Sequence, residues 1–189
     1  MQDTPLKGKK VAILAANGVQ ENHLTDSQKK LLSAGATIVM VGVESGVITS
    51  WQGKGWGHHF AIDTPISTFL ASDHDMLLIP GGERSTDTFL KTPHTARIID
   101  SVMAWGLPMA ILGEGAQMLA TSTRAKGCVV AAPDSIREKI VEAGLECSED
   151  AIHEDRNVLS FDGVGNLDEF LDRMITFFAN PPASLAVAE

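Results

Sequence analysis

Leu107-Pro108-Met109-Ala110-Ile111-Leu112-Gly113-Glu114-Gly115-Ala116-Gln117-Met118-Leu119-Ala120 is the stretch that decides the fold. The apolar run ending at Leu112 reads as a buried strand, Gly113-Glu114-Gly115 as a tight turn, and Ala116–Ala120 as the start of a helix. Many α/β enzymes hold a nucleophile at the first position of such a bend, because the strained turn exposes one side chain beside backbone N–H donors. Here that position is Gly113, which accepts a positive φ at low cost but has no side chain with which to attack. The turn can still offer backbone N–H groups to an anion or a carbonyl oxygen, helped by the helix N-terminus.

Working outward, the same strand-then-helix rhythm recurs. Lys9–Ala15 reads as the first strand and Asn17-Gly18 as a loop at its carboxyl end. A helix follows to about Ala34, with Thr25 and Gln28 offering a capping box, or with an earlier start, and Gly35 as its stop. Thr37–Val43 is the second strand, and this β-α-β opening favours a parallel sheet with crossover helices. Ser45–Asp63, with its glycines and two tryptophans, reads as a small hairpin or edge extension. Pro65–Leu70 is a short helix candidate, Met76–Ile79 the third central strand, and Pro80-Gly81-Gly82 its terminal turn. Pro93–Trp105 reads as a helix capped by Thr92 and stopped by Gly106. Val129-Val130, Leu145–Cys147, Ala151–His153 and Val158–Phe161 are strand candidates. A helix runs from Pro133 through Glu142 with a capping box at Ser135 and Glu138, and Leu167–Ala179 is the last amphipathic helix. The expectation is one α/β domain over residues 1–180 and a flexible C-terminal tail over 181–189.

The 189 residues carry 24 acidic and 15 basic side chains, for a formal charge of −9. That balance opposes nonspecific nucleic-acid binding, which needs a basic surface to replace counterions, and it makes a polyanionic membrane surface an unfavourable partner. No apolar stretch is long enough to span a bilayer and the N-terminus lacks a signal-peptide core, so the cytoplasm is the expected compartment. Cys128 and Cys147 form no CxxC pair or zinc-like cluster and read as ordinary thiols. Pro80-Gly81-Gly82 lacks the spacing and Lys-Ser/Thr ending of a phosphate loop, and no GxGxxG follows the first strand, so no cofactor is expected.

Open α/β sheets bind ligands at the carboxyl ends of their strands. Three loops qualify: Ala16–Leu24, Gly81–Asp87 and Gly113–Gly115. They bring Asn17, Gln20, Glu21, His23, Glu83, Arg84, Asp87 and Glu114 toward one rim, and the expected pocket comprises Asn17, Gly82, Glu83, Gly113, Glu114 and Gly115. His23 and Glu114 are candidates for acid/base chemistry, since a carboxylate beside an imidazole orients its tautomer and raises its basicity. The competing reading is a polar pair that closes the pocket. Glu21 is a candidate second carboxylate, or else a helix cap or a solvent-facing residue. His58-His59 with His23 invites a metal reading, but adjacent histidines in an extended strand point to opposite sides, so no metal site is expected. Trp51 and Trp56 read as edge cover or interface, and Arg84 as a loop salt-bridge residue.

Taken together, the ordered landmarks resemble the DJ-1/PfpI superfamily, closest to its PfpI-like bacterial branch. They are Val11-Ala12-Ile13-Leu14-Ala15-Ala16-Asn17-Gly18, Ala34-Gly35-Ala36, Gly46-Val47 with Trp51, Trp56-Gly57, Asp63, and Leu77-Leu78-Ile79-Pro80-Gly81-Gly82. Gly106–Leu112, Pro133-Asp134-Ser135-Ile136 and Leu159-Ser160 complete the series, which covers Lys10 to Phe178. The resemblance implies a flavodoxin-like α/β three-layer sandwich of the class I glutamine amidotransferase-like type. It implies a cysteine at the position of Gly113, often a histidine at Glu114, and an assisting glutamate at His23, all three of which differ here. The implied outcome is a pseudoenzyme without the family's peptidase, glyoxalase-like or deglycase chemistry, keeping a pocket for a small polar ligand or an interaction surface. The alternative is a non-cysteine hydrolase, hydratase or lyase using His23 and Glu114. The resemblance also implies a homodimer at minimum, with Ser45–Phe60 and Gly81–Asp87 as interface candidates.

Overall fold

Residues 4–183 are described by a computed structural model of the chain. The strands are β1 (Lys10–Leu14), β2 (Thr37–Gly42), β3 (Gly46–Trp51), β4 (Trp56–Ile62), β5 (Thr64–Pro65), β6 (Met76–Ile79), β7 (Met109–Leu112), β8 (Val129–Val130), β9 (Glu146–Cys147), β10 (Ile152–Asp155) and β11 (Val158–Phe161). The helices are α1 (Glu21–Ser33), α2 (Glu83–Leu90), α3 (Pro93–Trp105), α4 (Asp134–Glu142) and α5 (Leu167–Ala179). Seven strands form the central sheet in the order β10-β11-β7-β6-β1-β2-β5, with β10 alone running antiparallel to its neighbour.

The central strands are apolar on both faces, as a sheet covered on both sides must be. Val11 and Ile13 of β1, Leu78 of β6, Leu112 of β7 and Phe161 of β11 pack with Leu24 and Leu31 of α1 and with Phe170, Met174 and Phe178 of α5. Their alternates Ala12, Leu14, Leu77, Ile111 and Val158 pack with Phe89 of α2, Ile98 and Val102 of α3, and Ile136 and Ile140 of α4. This two-sided burial gives the three-layer, flavodoxin-like α/β sandwich. Each fully buried Phe or Leu contributes on the order of 2 kcal/mol.

Several local expectations change. α1 starts at Glu21 with Gln20 in the cap position, so Thr25 lies inside the helix and its hydroxyl donates to the Glu21 carbonyl rather than capping. Pro65–Leu70 is not a helix: Pro65 ends β5, where Ile66 N–H bonds the Gly42 carbonyl, and only Ala71–Asp73 makes a 3-10 turn. Gly81–Asp87 is not a loop, because α2 begins at Glu83. The segment Gly113–Thr121 is a 3-10 helix. Thr92 occupies the cap position of α3, yet its hydroxyl donates back to the Thr88 carbonyl at 2.9 Å. Pro133 precedes α4 without a side-chain cap, so the Ser135–Glu138 box is unused. Pro181–Ala183 follow α5 without regular structure, and the remainder of the expected tail, residues 184–189, lies outside the described residues.

Candidate functional site

The three rim loops do converge. Gln20 N–H donates to the Gly81 carbonyl at 2.9 Å, and Ala16 N–H donates to Ser85 Oγ at 3.0 Å, binding the first loop to α2. Gly82, at φ 117°, lies so close to the first loop that a Cβ there would sit 2.5 Å from the Gly18 carbonyl and 2.7 Å from the Gln20 nitrogen. Only glycine accepts both the backbone angle and the approach.

Gly113 stands where β7 bends, at φ 54°. A Cβ on it would meet His23 Cε1 at 3.5 Å and Gly81 Cα at 3.8 Å, which are ordinary contacts, so the space beside the bend admits a small side chain. The loop after β11 covers the same spot, since a Cβ on Gly163 would lie 3.2 Å from Gly113 Cα. Asp162 shapes that loop by accepting from the Val164 and Gly165 N–H groups at 2.8 and 2.9 Å. The Asp162-Gly163-Val164-Gly165 run is a turn signal, but nothing local to it reveals that it folds onto residue 113.

His23 and Glu114 meet at the Gly81-Gly82 turn, each bonded to backbone. His23 Nδ1 accepts from Gly81 N–H at 3.2 Å, and Glu114 Oε2 accepts from Gly82 N–H at 2.9 Å. A Cβ on Gly81 would fall 2.7 Å from His23 Nδ1 and 3.0 Å from Glu114 Oε2, which measures how closely the two side chains approach this turn. Gly82 is the cap residue of α2, so the Glu114 carboxylate supplies the anion that the start of a helix favours. The His23 ring is buried, edge-on to Phe161 with centroids 6.1 Å apart. Burial pushes its pKa down to about 4, against the opposing pull of Glu114 and Asp26. A neutral ring whose Nδ1 accepts a backbone N–H carries its proton on Nε2. Its one lone pair is already engaged.

Glu21 turns away from Gly113. Its carboxylate accepts from Ser50 Oγ, from Gln52 Nε2 at 2.6 Å and from His58 N–H at 2.9 Å, and it pairs with His58 Nδ1 at 2.8 Å. The Ser50 hydroxyl, then the His58 amide and Gln52, hold its pKa down at about 2. The carboxylate fits because β4 has no side chain at Gly57, where a Cβ would fall 1.9 Å from Glu21 Oε2. Glu21 therefore clamps the β3-β4 hairpin onto α1, a role that neither capping nor solvent exposure describes. Two backbone bonds add to the clamp, Gly18 N–H to the Thr49 carbonyl and Trp51 N–H to the Val19 carbonyl, both at 2.8 Å.

Asn17 is exposed beside this hairpin and its Oδ1 accepts from Thr49 N–H at 2.8 Å. Glu83 is exposed at the start of α2, and Gly115 packs under the turn against Ile79. Arg84 makes no salt bridge among the described residues. Its guanidinium carbon lies 4.5 Å from the Trp51 ring centre and 5.3 Å from that of Trp56. His58 and His59 point apart, the first to Glu21 and the second to Thr49 Oγ1 at 2.9 Å. Among the described residues no group of three or more His, Cys, Asp or Glu side chains could hold a metal ion, and no helix is long and apolar enough to cross a membrane. Cys128 is buried, its thiol pushed up to about 12 chiefly by desolvation.

Comparison with known proteins fits this geometry. The DJ-1/PfpI family pattern matches residues 9–176. Deglycase PfpI of Pyrococcus furiosus is 26% identical over 158 residues, covering 84% of this chain and 92% of its own. Two solved structures share the fold. One is a two-domain protein of Anabaena variabilis with DJ-1/ThiJ/PfpI-like and ferritin-like domains (TM-score 0.81, 24% identity), where the match covers 89% of this chain and 47% of the other. The second is a ThiJ/PfpI domain protein of Brachyspira murdochii (TM-score 0.80, 15% identity), covering 90% and 95%. The chain thus belongs to the DJ-1/PfpI family, in its PfpI-like branch, and among the described residues it has neither a cysteine at the bend nor a Cys/His/Glu triad.

Proposed function

We propose that this protein is a catalytically degenerate DJ-1/PfpI member whose role is binding, through a small-ligand pocket or an interaction surface on the strand-end rim. The observation that carries the reading is the bend itself: Gly113 keeps a positive φ and room for a small side chain, but offers no nucleophile. Cys128 does not substitute, because its buried thiol stays protonated.

The same geometry weighs against the rival reading of an acid/base enzyme. A general base needs a free lone pair near the substrate proton, and the Nδ1 lone pair of His23 is taken by Gly81 N–H. Glu114 is likewise engaged at Gly82 N–H. Both residues read as the closure of an inherited site. Purified protein should consume no methylglyoxal and cleave no peptide in a cysteine-dependent manner. Turnover that co-purifies with the chain through successive columns and disappears in His23→Ala or Glu114→Gln would overturn the reading.

We infer a homodimer at minimum in the cytoplasm, with the Val47 end of the hairpin at or near the contact and its Trp56 end outside it. Support comes from Val47, which leaves 64% of its surface exposed. Light scattering across a concentration series should report a species heavier than one chain, and a constant monomer would defeat the inference.

A further inference from the structure

The outer face of the β3-β4 hairpin combines open space with unused hydrogen-bond donors. Asn17, Thr49, Trp56 and His59 line a cavity of about 420 Å³. Asn17 uses its carbonyl oxygen on Thr49 N–H, and its amide N–H groups have no partner among the described residues. When the Thr49 hydroxyl donates to His59 Nδ1, Nε2 carries the ring proton and has no partner among the described residues. Trp56 presents a half-exposed indole, held perpendicular to Trp51 at 5.4 Å between centroids.

Within a chain of net charge −9, Gly46–Ile62 contains no acidic residue and holds Lys54. Arg84 adds a guanidinium 5.3 Å from the centre of the Trp56 ring, with no hydrogen bond or ion pair to it among the described residues. The nearest inward carboxylate, Glu21, is engaged with Ser50, Gln52 and His58 on the other side of the hairpin. An aromatic plate beside an amide donor and an unpaired guanidinium suits a flat apolar body that bears a negative group.

We propose that this face binds a small organic carboxylate with a planar body: the ring on Trp56, the carboxylate at the Asn17 amide and His59, and Arg84 supplying the field. The inference rests on the binding role proposed above and assigns it a ligand class and a place. The two fail separately, since turnover would defeat the binding role whereas a failed titration of an inert protein defeats only this assignment.

The test is calorimetric titration of the full chain with benzoate as the probe, alongside benzylamine (the same ring with the opposite charge) and acetate (the same anion without the ring). Benzoate should bind saturably and at least tenfold more tightly than either control, shifting the Trp56 indole and Asn17 amide resonances in nitrogen-15 spectra. Trp56→Ala should weaken benzoate at least tenfold. Asn17→Asp should do the same while keeping the oxygen that accepts from Thr49 N–H, so a loss there reports the donor and the charge rather than a broken hairpin. Absence of saturable benzoate binding overturns the proposal, as does equal binding of benzylamine or an affinity unchanged in both variants.

Discussion

The Gly113 bend and the outer hairpin face lie on the same rim, tied by the loop from Ala16 to Gln20, and they treat polar groups in opposite ways. At the bend, His23 and Glu114 each take a backbone N–H from the Gly81-Gly82 turn, and the imidazole is buried. On the hairpin, Asn17, His59 and Arg84 keep donors facing outward around an exposed indole. Burying a polar group is tolerable only when it is hydrogen-bonded. At the bend, His23 Nδ1 and Glu114 Oε2 are already spent on backbone, which leaves the His23 Nε2–H and the second Glu114 oxygen as the only groups of this pair still open to a ligand. The proposed binding role accordingly falls on the neighbouring surface rather than on the bend.

The largest expected effect breaks the joint. Gly82→Ala would force a Cβ into the Gly18 carbonyl and the Gln20 nitrogen at a backbone angle that L-residues avoid. A loss of roughly 4 kcal/mol or more is expected, or no folded protein at all. Urea denaturation of the wild type and the variant would measure it, and near-equal stabilities would mean that the turn is not packed as described.

Loosening the other region comes next. Glu21→Ala removes a carboxylate that four donors approach, leaving the His58 amide without its acceptor and Ser50 with only the His58 carbonyl at 3.2 Å. The expected cost is about 2–4 kcal/mol, with faster amide exchange across β3 and β4 than in the central sheet. The pH dependence has a definite sign: because the folded pKa is lowered to about 2, this stabilisation is complete above the unfolded carboxylate value and is lost as pH falls toward 2.

The smallest effect sharpens the contrast between the two glycines of the joint. Gly113→Ala places its methyl at ordinary contact distance and bears only the cost of a left-handed residue, on the order of 1 kcal/mol. Thermal denaturation of Gly113→Ala beside Gly82→Ala should show a slight loss against a severe one. Equal losses would mean that the space at the bend is filled.

The sheet and the order of its elements are legible from sequence because β6 and β7 are unbroken apolar runs, β1 is apolar after Lys10, β11 is broken only by Ser160, and α3 and α5 carry regular apolar faces. α2 is not, because two of its three buried residues, Ser85 and Thr86, are polar, and its cap is a glycine that reads as loop. The candidate site is half legible. That His23, Glu114 and Gly82 approach one another follows from the rule that strand ends share a rim. Which atoms they bond does not, because Gly81 N–H lies 58 residues from His23 in the chain. Glu21 is read as a possible acid because its partners stand 29 to 37 residues away on a hairpin whose docking no local pattern encodes. Arg84 is read as a salt-bridge residue because charge is visible in sequence, while its seat on Trp51 and Trp56 depends on tertiary packing.

Titrating the His23 imidazole with nitrogen-15 NMR distinguishes a structural joint at the bend from a working acid/base site. A joint gives a neutral ring at pH 7 with its proton on Nε2, an unprotonated Nδ1 bonded to Gly81 N–H, and a pKa of about 4. Because that value lies below the unfolded 6.5, the folded protein should lose roughly 3 kcal/mol of stability as pH falls from 6.5 to 4, most of it before Glu21 begins to titrate. A His23 that titrates at or above 6.5, or that carries its proton on Nδ1, would mean that the ring is free to exchange protons at the bend, and the account would be wrong.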